Sequence, residues 1–350
     1  MLVMVDVLNG GGVENFSLTA VDYLPILAQV PFALALRQAQ VRSSAIDRAM
    51  QLTILASTIL SVIQWTSYHV ERPGGLNLNP IPYGLAIALW STVLLARGLE
   101  RGKSGSFSIA IAVLGTIPIL LTGSKLVWAC TFIGFGYVGV RWAADHGRWR
   151  LFAAGSMAAL IAASAAAATV ARGRLAAFID EMAQVAHSGA SQGLSVGNRL
   201  ELVLSGWRAF LERPLLGYGL AERMQAARHH ATPGGPDTSM NFHLHNDYMT
   251  HLVSFGVPGL VFLFLYLTLY LWLAAHTRDP AYRNSGIAVA VAVALYMCFE
   301  VAFNMDPVSG LLAVHIGILL AFPRSRETTV ARLGRSLQSP TSRRCWRANP

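Results

Sequence analysis

Apolar stretches long enough to cross a lipid bilayer recur along this chain, and no other feature so narrows what it can fold into. In hydrocarbon every backbone N–H and C=O must be satisfied within the protein, which leaves helices or a closed barrel. Runs of about 17 to 25 residues suit the helix, which rises about 1.5 Å per residue. Such runs lie near residues 18–36, 49–65, 80–96, 105–121, 123–140, 150–171, 251–274, 285–304 and 308–323, and they predict an all-α, polytopic membrane protein of about nine transmembrane helices. The balance of residues agrees: 54% are hydrophobic and 13% charged, more apolar surface than one soluble core needs. Met1 to Gly12 carries Asp6 and three glycines where a cleavable signal peptide has a basic start and an apolar run, so none is expected.

Basic residues orient the spans. Arg37, Arg42 and Arg48, then Arg97, Arg101 and Lys103, then Arg141, Arg148 and Arg150, then Arg278 and Arg283, and the tail from Arg324 to Arg347 fall on alternate connections and hold 18 of the 27 lysines and arginines. By the positive-inside rule those connections are cytoplasmic, and the N-terminus and residues 172–250 are outside. The net charge of +9 then follows from topology and a basic tail on an anionic leaflet, with no need of nucleic acid. Four parts result: an N-terminal transmembrane bundle over 1–171, an extracytoplasmic loop with short helices over 172–250, C-terminal transmembrane helices over 251–323 and a basic cytoplasmic tail over 324–350. Cys130, Cys298 and Cys345 share no metal-ligand or disulfide spacing and read as free.

The long loop has its own pattern. Residues 174–186 place Leu175, Phe178, Ile179, Met182 and Val185 at helical spacing, as in a helix lying on the membrane surface. Asn198 followed by Glu201 has the form of a capping box, and Leu200, Val203, Leu204, Trp207, Phe210 and Leu211 make an apolar face that Pro214 ends. Arg199 then stands in the first turn, where a guanidinium beside unpaired amides suits a phosphate or diphosphate; the alternative is an arginine reaching lipid head groups. The loop closes on His245-Asn246-Asp247-Tyr248, a titratable imidazole at the water–lipid boundary, followed by Gly256-Val257-Pro258-Gly259 in an apolar run.

Taken in order, Leu121-Thr122-Gly123-Ser124-Lys125 at the head of a span, Asn198-Arg199 with Trp207, Pro214-Leu215-Leu216-Gly217-Tyr218-Gly219, and His243-Leu244-His245-Asn246-Asp247-Tyr248 with Gly256 and Gly259 resemble the O-antigen ligase and O-antigen polymerase superfamily, over roughly residues 105–270. The resemblance implies a GT-C-like inner-membrane glycosyltransferase of lipopolysaccharide or exopolysaccharide biosynthesis, its active site facing the periplasm. The donor would be an undecaprenyl-diphosphate-linked glycan and the acceptor a glycan or lipid A-core, with no metal and no cofactor; other polysaccharide assembly proteins are conceivable partners. His245 matches the family's essential histidine and Arg199 its loop arginine. Lys125 stands where many members have an arginine, keeping the charge but losing the bidentate fork, and a lysine there also occurs in exopolysaccharide-polymerase-like members. Members commonly have additional N-terminal spans, so the chain reads as a short form or an incomplete reading frame.

The implied chemistry is an inverting displacement at the sugar C1. His245 would take the acceptor hydroxyl proton, and Arg199 and Lys125 would hold the departing diphosphate. Asn246 would orient the histidine or a sugar hydroxyl, or cap a turn; Tyr248 and Trp207 would stack on sugar rings or anchor at the interface. His243 stands beside the base. His229, His230, His243, His245 and His251 form a histidine-rich stretch, but with no HExxH, no cysteine partner and no carboxylate at a ligand offset the reading is metal-free. Glu300 and His315 fall inside predicted spans, where ionisable groups are costly. Glu300 either shapes the cavity or is a paired structural carboxylate, and His315 alone does not make a proton path. The alternative of a different class is a transporter or flippase of lipid-linked oligosaccharide whose loop binds only the diphosphate.

Overall fold

The computed structural model describes residues 23–77, 79–166, 195–233, 243–303 and 306–321, with isolated residues 176, 179, 180, 183 and 241. Among these, every regular element is helical: α1 Gln29–Gln38, α2 Ser43–Thr66, α3 Pro80–Arg101, α4 Ser106–Leu114, α5 Thr116–Leu121, α6 Lys125–His146, α7 Trp149–Ala166, α8 Ser195–Glu212, α9 Gly219–His229, α10 Asp247–Ala275, α11 Pro280–Met297 and α12 Asp306–Ala321. Four stretches, Ser43–Thr66, Pro80–Leu121, Lys125–His146 and Asp247–Ala275, are long and apolar enough to cross a membrane, and Val308–Ala321 is a shorter apolar helix. The amphipathic segment expected over 174–186 falls almost wholly outside the described residues, and the basic tail with Cys345 falls entirely outside them.

Local signals set the helix ends. Asn79 caps α3 by accepting the Ile81 N–H, with Pro80 at the first position; Asp279 does the same for α11 ahead of Pro280. Side chains that satisfy first-turn amides, followed by a proline that needs no partner for its nitrogen, are strong start signals. They begin α11 five residues before the predicted span; the helix ends at Met297, so Glu300 lies in a turn beyond it and not within a span.

The stretch Pro80–Leu121 is folded back on itself. A turn at Gly102–Gly105 reverses the chain, and α4–α5 run down α3 along a seam of small residues. A Cβ on Gly105 would lie 2.0 Å from the Gly98 carbonyl oxygen, one on Gly115 2.3 Å from the Ser91 hydroxyl, and one on Gly84 2.9 Å from Thr122. Gly84, Ser91 and Gly98 recur every seven residues, keeping one face of α3 low enough for backbones to meet, the usual solution where lipid supplies no hydrophobic drive between helices.

The remaining helices complete one bundle. Cys130 on α6 donates to the Ala292 carbonyl on α11, while Val138 packs with Ala281 and Ala288, so α6 and α11 are antiparallel. Tyr248 reaches Ala294 and Ala274 abuts Gly286, so α10 is antiparallel to α11 as well. Consequently the starts of α3, α6 and α10 and the ends of α5 and α11 share one end of the bundle. The other end is ionic: Asp47 pairs with both Arg97 and Arg101, Arg97 approaches Asp279 at 3.5 Å and lies 4.3 Å over the Tyr282 ring. Cys130 and Cys298 are free, the former buried.

A second, smaller apolar core sits at the first end. Leu202, Ala209 and Phe210 of α8, Met224 and Ala227 of α9, Leu244, and Met249, Leu252 and Val253 of α10 cluster apart from the main core, to which Phe255, Leu263, Leu267, Ala302 and Phe303 belong. The border between them is a break in α10 at Gly256, whose φ of 63° is left-handed. In a regular helix Val253 C=O would accept the Val257 N–H. Here Val253 C=O accepts Tyr218 N–H and Val257 N–H turns to Pro214 C=O, both at 2.8 Å. The Pro214–Tyr218 loop thus satisfies both groups that the break releases, and Pro258, having no N–H, asks for nothing more. The approach is close enough that a Cβ on Gly256 would meet Pro214 O at 2.5 Å and one on Gly217 would meet Val253 O at 2.5 Å. This is the physical content of the Pro214-to-Gly219 and Gly256 motifs.

Candidate active site

His243, His245, Arg199 and Glu300 converge where the two cores meet. The loop 243–246 leads into α10, and Asn246 caps that helix by accepting the Met249 N–H at 2.8 Å. Immediately before the cap, His245 adopts a left-handed backbone with φ of 50°, a conformation in which histidine is enriched several-fold over most side chains and which recurs at functional sites. It aims the imidazole at the turn after α11. Nδ1 of His245 lies 3.1 and 3.2 Å from the two oxygens of Glu300, a carboxylate that is only 3% exposed.

Two more basic groups face the same carboxylate. Arg199 lies 3.7 Å from Glu300 Oε2, and His243 Nδ1 lies 3.5 Å from Oε1. The latter is not an ion pair, because His243 Nδ1 accepts the His245 backbone N–H at 3.3 Å and the ring is held neutral. Burial, then the neighbouring His245, push His243 down to about 4; Glu300 opposes them, and Arg223 and Arg199 push it lower again. Burial pushes the Glu300 carboxyl up, but the His245 hydrogen bond and the basic groups of His245, His243 and Arg199 outweigh it and leave the carboxyl below its ordinary value. A buried carboxylate that stays ionised in this way accepts an N–H from a neighbouring imidazole and so orients the ring.

The residues singled out from sequence fare differently. Arg199 does reach the cluster, but not from a helix N-terminus: α8 starts at Ser195, so Asn198 is inside the helix and no capping box forms. Glu201 instead accepts the Thr232 N–H at 2.6 Å and faces Arg208 at 4.0 Å. Lys125 is exposed at the first position of α6, after Ser124, whose hydroxyl accepts the Val127 N–H, and it stands at the same end of the bundle as Glu300. Tyr248 is spent on packing, its hydroxyl donating to Ala294 C=O at 3.1 Å. Trp207 lies on the outer side of α8 with Leu200, Leu204 and Leu211, tilted against Phe210 at 5.2 Å, whereas Phe210 itself is buried. The predicted apolar face of this helix is therefore split between a packed side and an exposed one. His315 is hydrogen-bonded to Tyr270 in the main core, and His230 pairs with Glu212 at 3.2 Å.

Glu300 was named from the sequence as a carboxylate that shapes the cavity or is paired, but its partner is 55 residues away, a separation that no local spacing encodes. One neighbour of the cluster escaped the sequence. Arg223 on α9, whose charge bears on His243, sits in a helix without a recognisable motif. His243, His245 and Glu300 also bring three ligand-type atoms within 4.8 Å of one another, a grouping that the absence of a nearby carboxylate in the sequence had argued against.

Residues 110–265 match the family described as O-antigen ligase. The match supports a place for this segment in the O-antigen ligase and polymerase superfamily. Together with the apolar helices it supports a membrane enzyme of the O-antigen ligase and polymerase type, a class whose members in general join a lipid-linked glycan donor to a glycan acceptor. The matched segment runs from within α4 through α9 and most of α10, with Arg199, His243 and His245; Glu300 lies beyond it. No curated protein matches the chain.

Proposed function

We propose that the protein transfers a glycan from undecaprenyl diphosphate to an acceptor hydroxyl, with His245 as the base and Arg199 and Lys125 as the diphosphate clamp, at the periplasmic face of a bacterial inner membrane. The observation that carries this reading is the His245–Glu300 contact. With Nδ1–H donated to the carboxylate, Nε2 keeps its lone pair for the acceptor proton, and Glu300 stabilises the imidazolium as it forms. The acceptor oxygen forms a bond to the sugar C1 as the C1–O bond to the diphosphate breaks. The proton passes to His245 and the electron pair leaves with the lipid diphosphate, inverting C1. Lys125 enters the clamp as an exposed cation at the start of α6, at the same end of the bundle as Glu300.

Two features favour an anionic ligand over a metal ion at the histidine pair. The Arg199 guanidinium already faces Glu300, and His243 Nδ1 is engaged by a backbone N–H. A cation placed among them would meet a like charge and one ligand too few. The experiment uses purified protein and undecaprenyl-diphosphate-linked glycans extracted from cells lacking the gene. Release of undecaprenyl diphosphate together with a new glycosidic bond is the expected result. Movement of the lipid across vesicles without bond formation would establish a flippase instead.

The proposed orientation is supported by where charge falls: Arg97, Arg101 and the start of α2 gather at the end of the bundle opposite Glu300, and basic connections face the cytoplasm. In this reading residues 172–250 cover the site from outside. A reporter active only in the periplasm should therefore work when fused near Gly193 and fail near Ser104 or after Arg326. Activity at Ser104 would reverse the assignment.

A further inference from the structure

The residues that follow His245 both grip the segment that carries Glu300. Asn246 donates from Nδ2 to the Cys298 carbonyl at 2.8 Å, just before Glu300. Asp247, fully buried at the first position of α10, accepts the Ala302 and Phe303 N–H groups at 2.7 and 3.2 Å, just after it. The segment 298–303 lies outside any helix, and a turn of this kind keeps its shape only where its main-chain groups are tied down. Its carboxylate lies within 3.7 Å of Arg199, His243 and His245. The ties on both sides fix which of them it meets in line.

We propose that Asn246 and Asp247 are positioning residues that clamp the 298–303 segment from either side and so hold the Glu300 carboxylate against His245. His245, Asn246 and Asp247 then act as one unit on one segment: the first meets its carboxylate and the next two fix its backbone. The proposal rests on the reading of His245 as the base.

The test uses variants that separate the clamp from the fold. Asn246→Asp keeps an oxygen for the Met249 N–H, and with it the helix cap, but has no N–H for Cys298. Asp247→Ala removes both amide contacts, and Asp247→Asn retains an oxygen able to accept them. Each is made in the wild-type chain and in Glu300→Gln, and turnover is followed as undecaprenyl diphosphate released from extracted lipid-linked glycans at matched protein levels. Asn246→Asp and Asp247→Ala should each lower kcat about ten- to a hundredfold with KM little changed, the scale seen when the group orienting a functional histidine is lost. Asp247→Asn should stay near wild type, and in Glu300→Gln the same changes should add little, because contacts that act through one group are non-additive. Losses of equal size in both backgrounds, or full activity in Asn246→Asp, would overturn the clamp. If Asp247→Ala does not accumulate, Asn246→Asp decides the matter alone. Retained turnover in His245→Ala would sink the base itself, an outcome distinct from additive losses in an enzyme whose His245→Ala variant is dead.

Discussion

Glycan transfer should fall at least about a hundredfold in His245→Ala, with the protein still made and inserted, because a positioned base contributes roughly 10²–10⁴ in rate. The side chain is partly exposed and belongs to neither apolar core, so its loss opens no cavity in them. Glu300→Gln should lose less, since an amide can still hydrogen-bond to the imidazole but cannot stabilise its protonated form. His243→Ala should be milder than His245→Ala. The reason is electrostatic: a ring held near 4 is neutral at neutral pH and already engaged by a backbone N–H. His243→Gln should accordingly leave the pH profile above about pH 5 in place, since a group with a lowered pKa has already lost its proton there. Equal losses at the two histidines, measured as product formed per unit of inserted protein, would assign the base elsewhere.

Arg199→Ala and Lys125→Ala should each cut turnover strongly, by about tenfold or more, because cations aimed at a departing diphosphate are most useful where negative charge develops. Restored charge should rescue them unequally. Lys125→Arg should be neutral or improved, whereas Arg199→Lys should remain defective: one guanidinium faces Glu300 at 3.7 Å while offering further N–H groups to a phosphate, and an ammonium has no such planar fork. Chelation by EDTA should change none of these activities. Loss of wild-type activity on chelation, reversed by zinc, would instead give His243, His245 and Glu300 the role of ligands.

Membrane character and helical class were legible because period and length act locally: a run of apolar residues either spans or does not. The caps at Asn79 and Asp279 were equally local, yet the predicted span over 285–304 ran too late, since hydropathy averages over a window while α11 starts at a single proline. Asn198 and Glu201 had the spacing of a capping box and lost to a helix that begins a turn earlier. His245 and Arg199 were singled out through the order of motifs, not through any visible contact. What they share is Glu300, and that contact joins a loop before α10 to a turn after α11. Pairing of this kind is decided by how helices pack, and a sequence read in one dimension does not carry it.

The break at Gly256 has a consequence for how such enzymes diversify. Arg199 lies on α8 and His245 just before α10, beside the smaller apolar core that α8, α9 and the first turns of α10 build, while Glu300 leads into Ala302 and Phe303 in the larger one. The described residues from 195 to 253 therefore have packing of their own, joined to the bundle where Leu220 and Phe255 enter the larger core, through the Val257–Pro214 hydrogen bond and through contacts to Cys298, Glu300, Ala302 and Phe303. Recombination could exchange that unit while leaving the helices beyond Gly256 untouched. Selection would then bear hardest on a few atoms at the seam, where an imported histidine must meet a resident carboxylate.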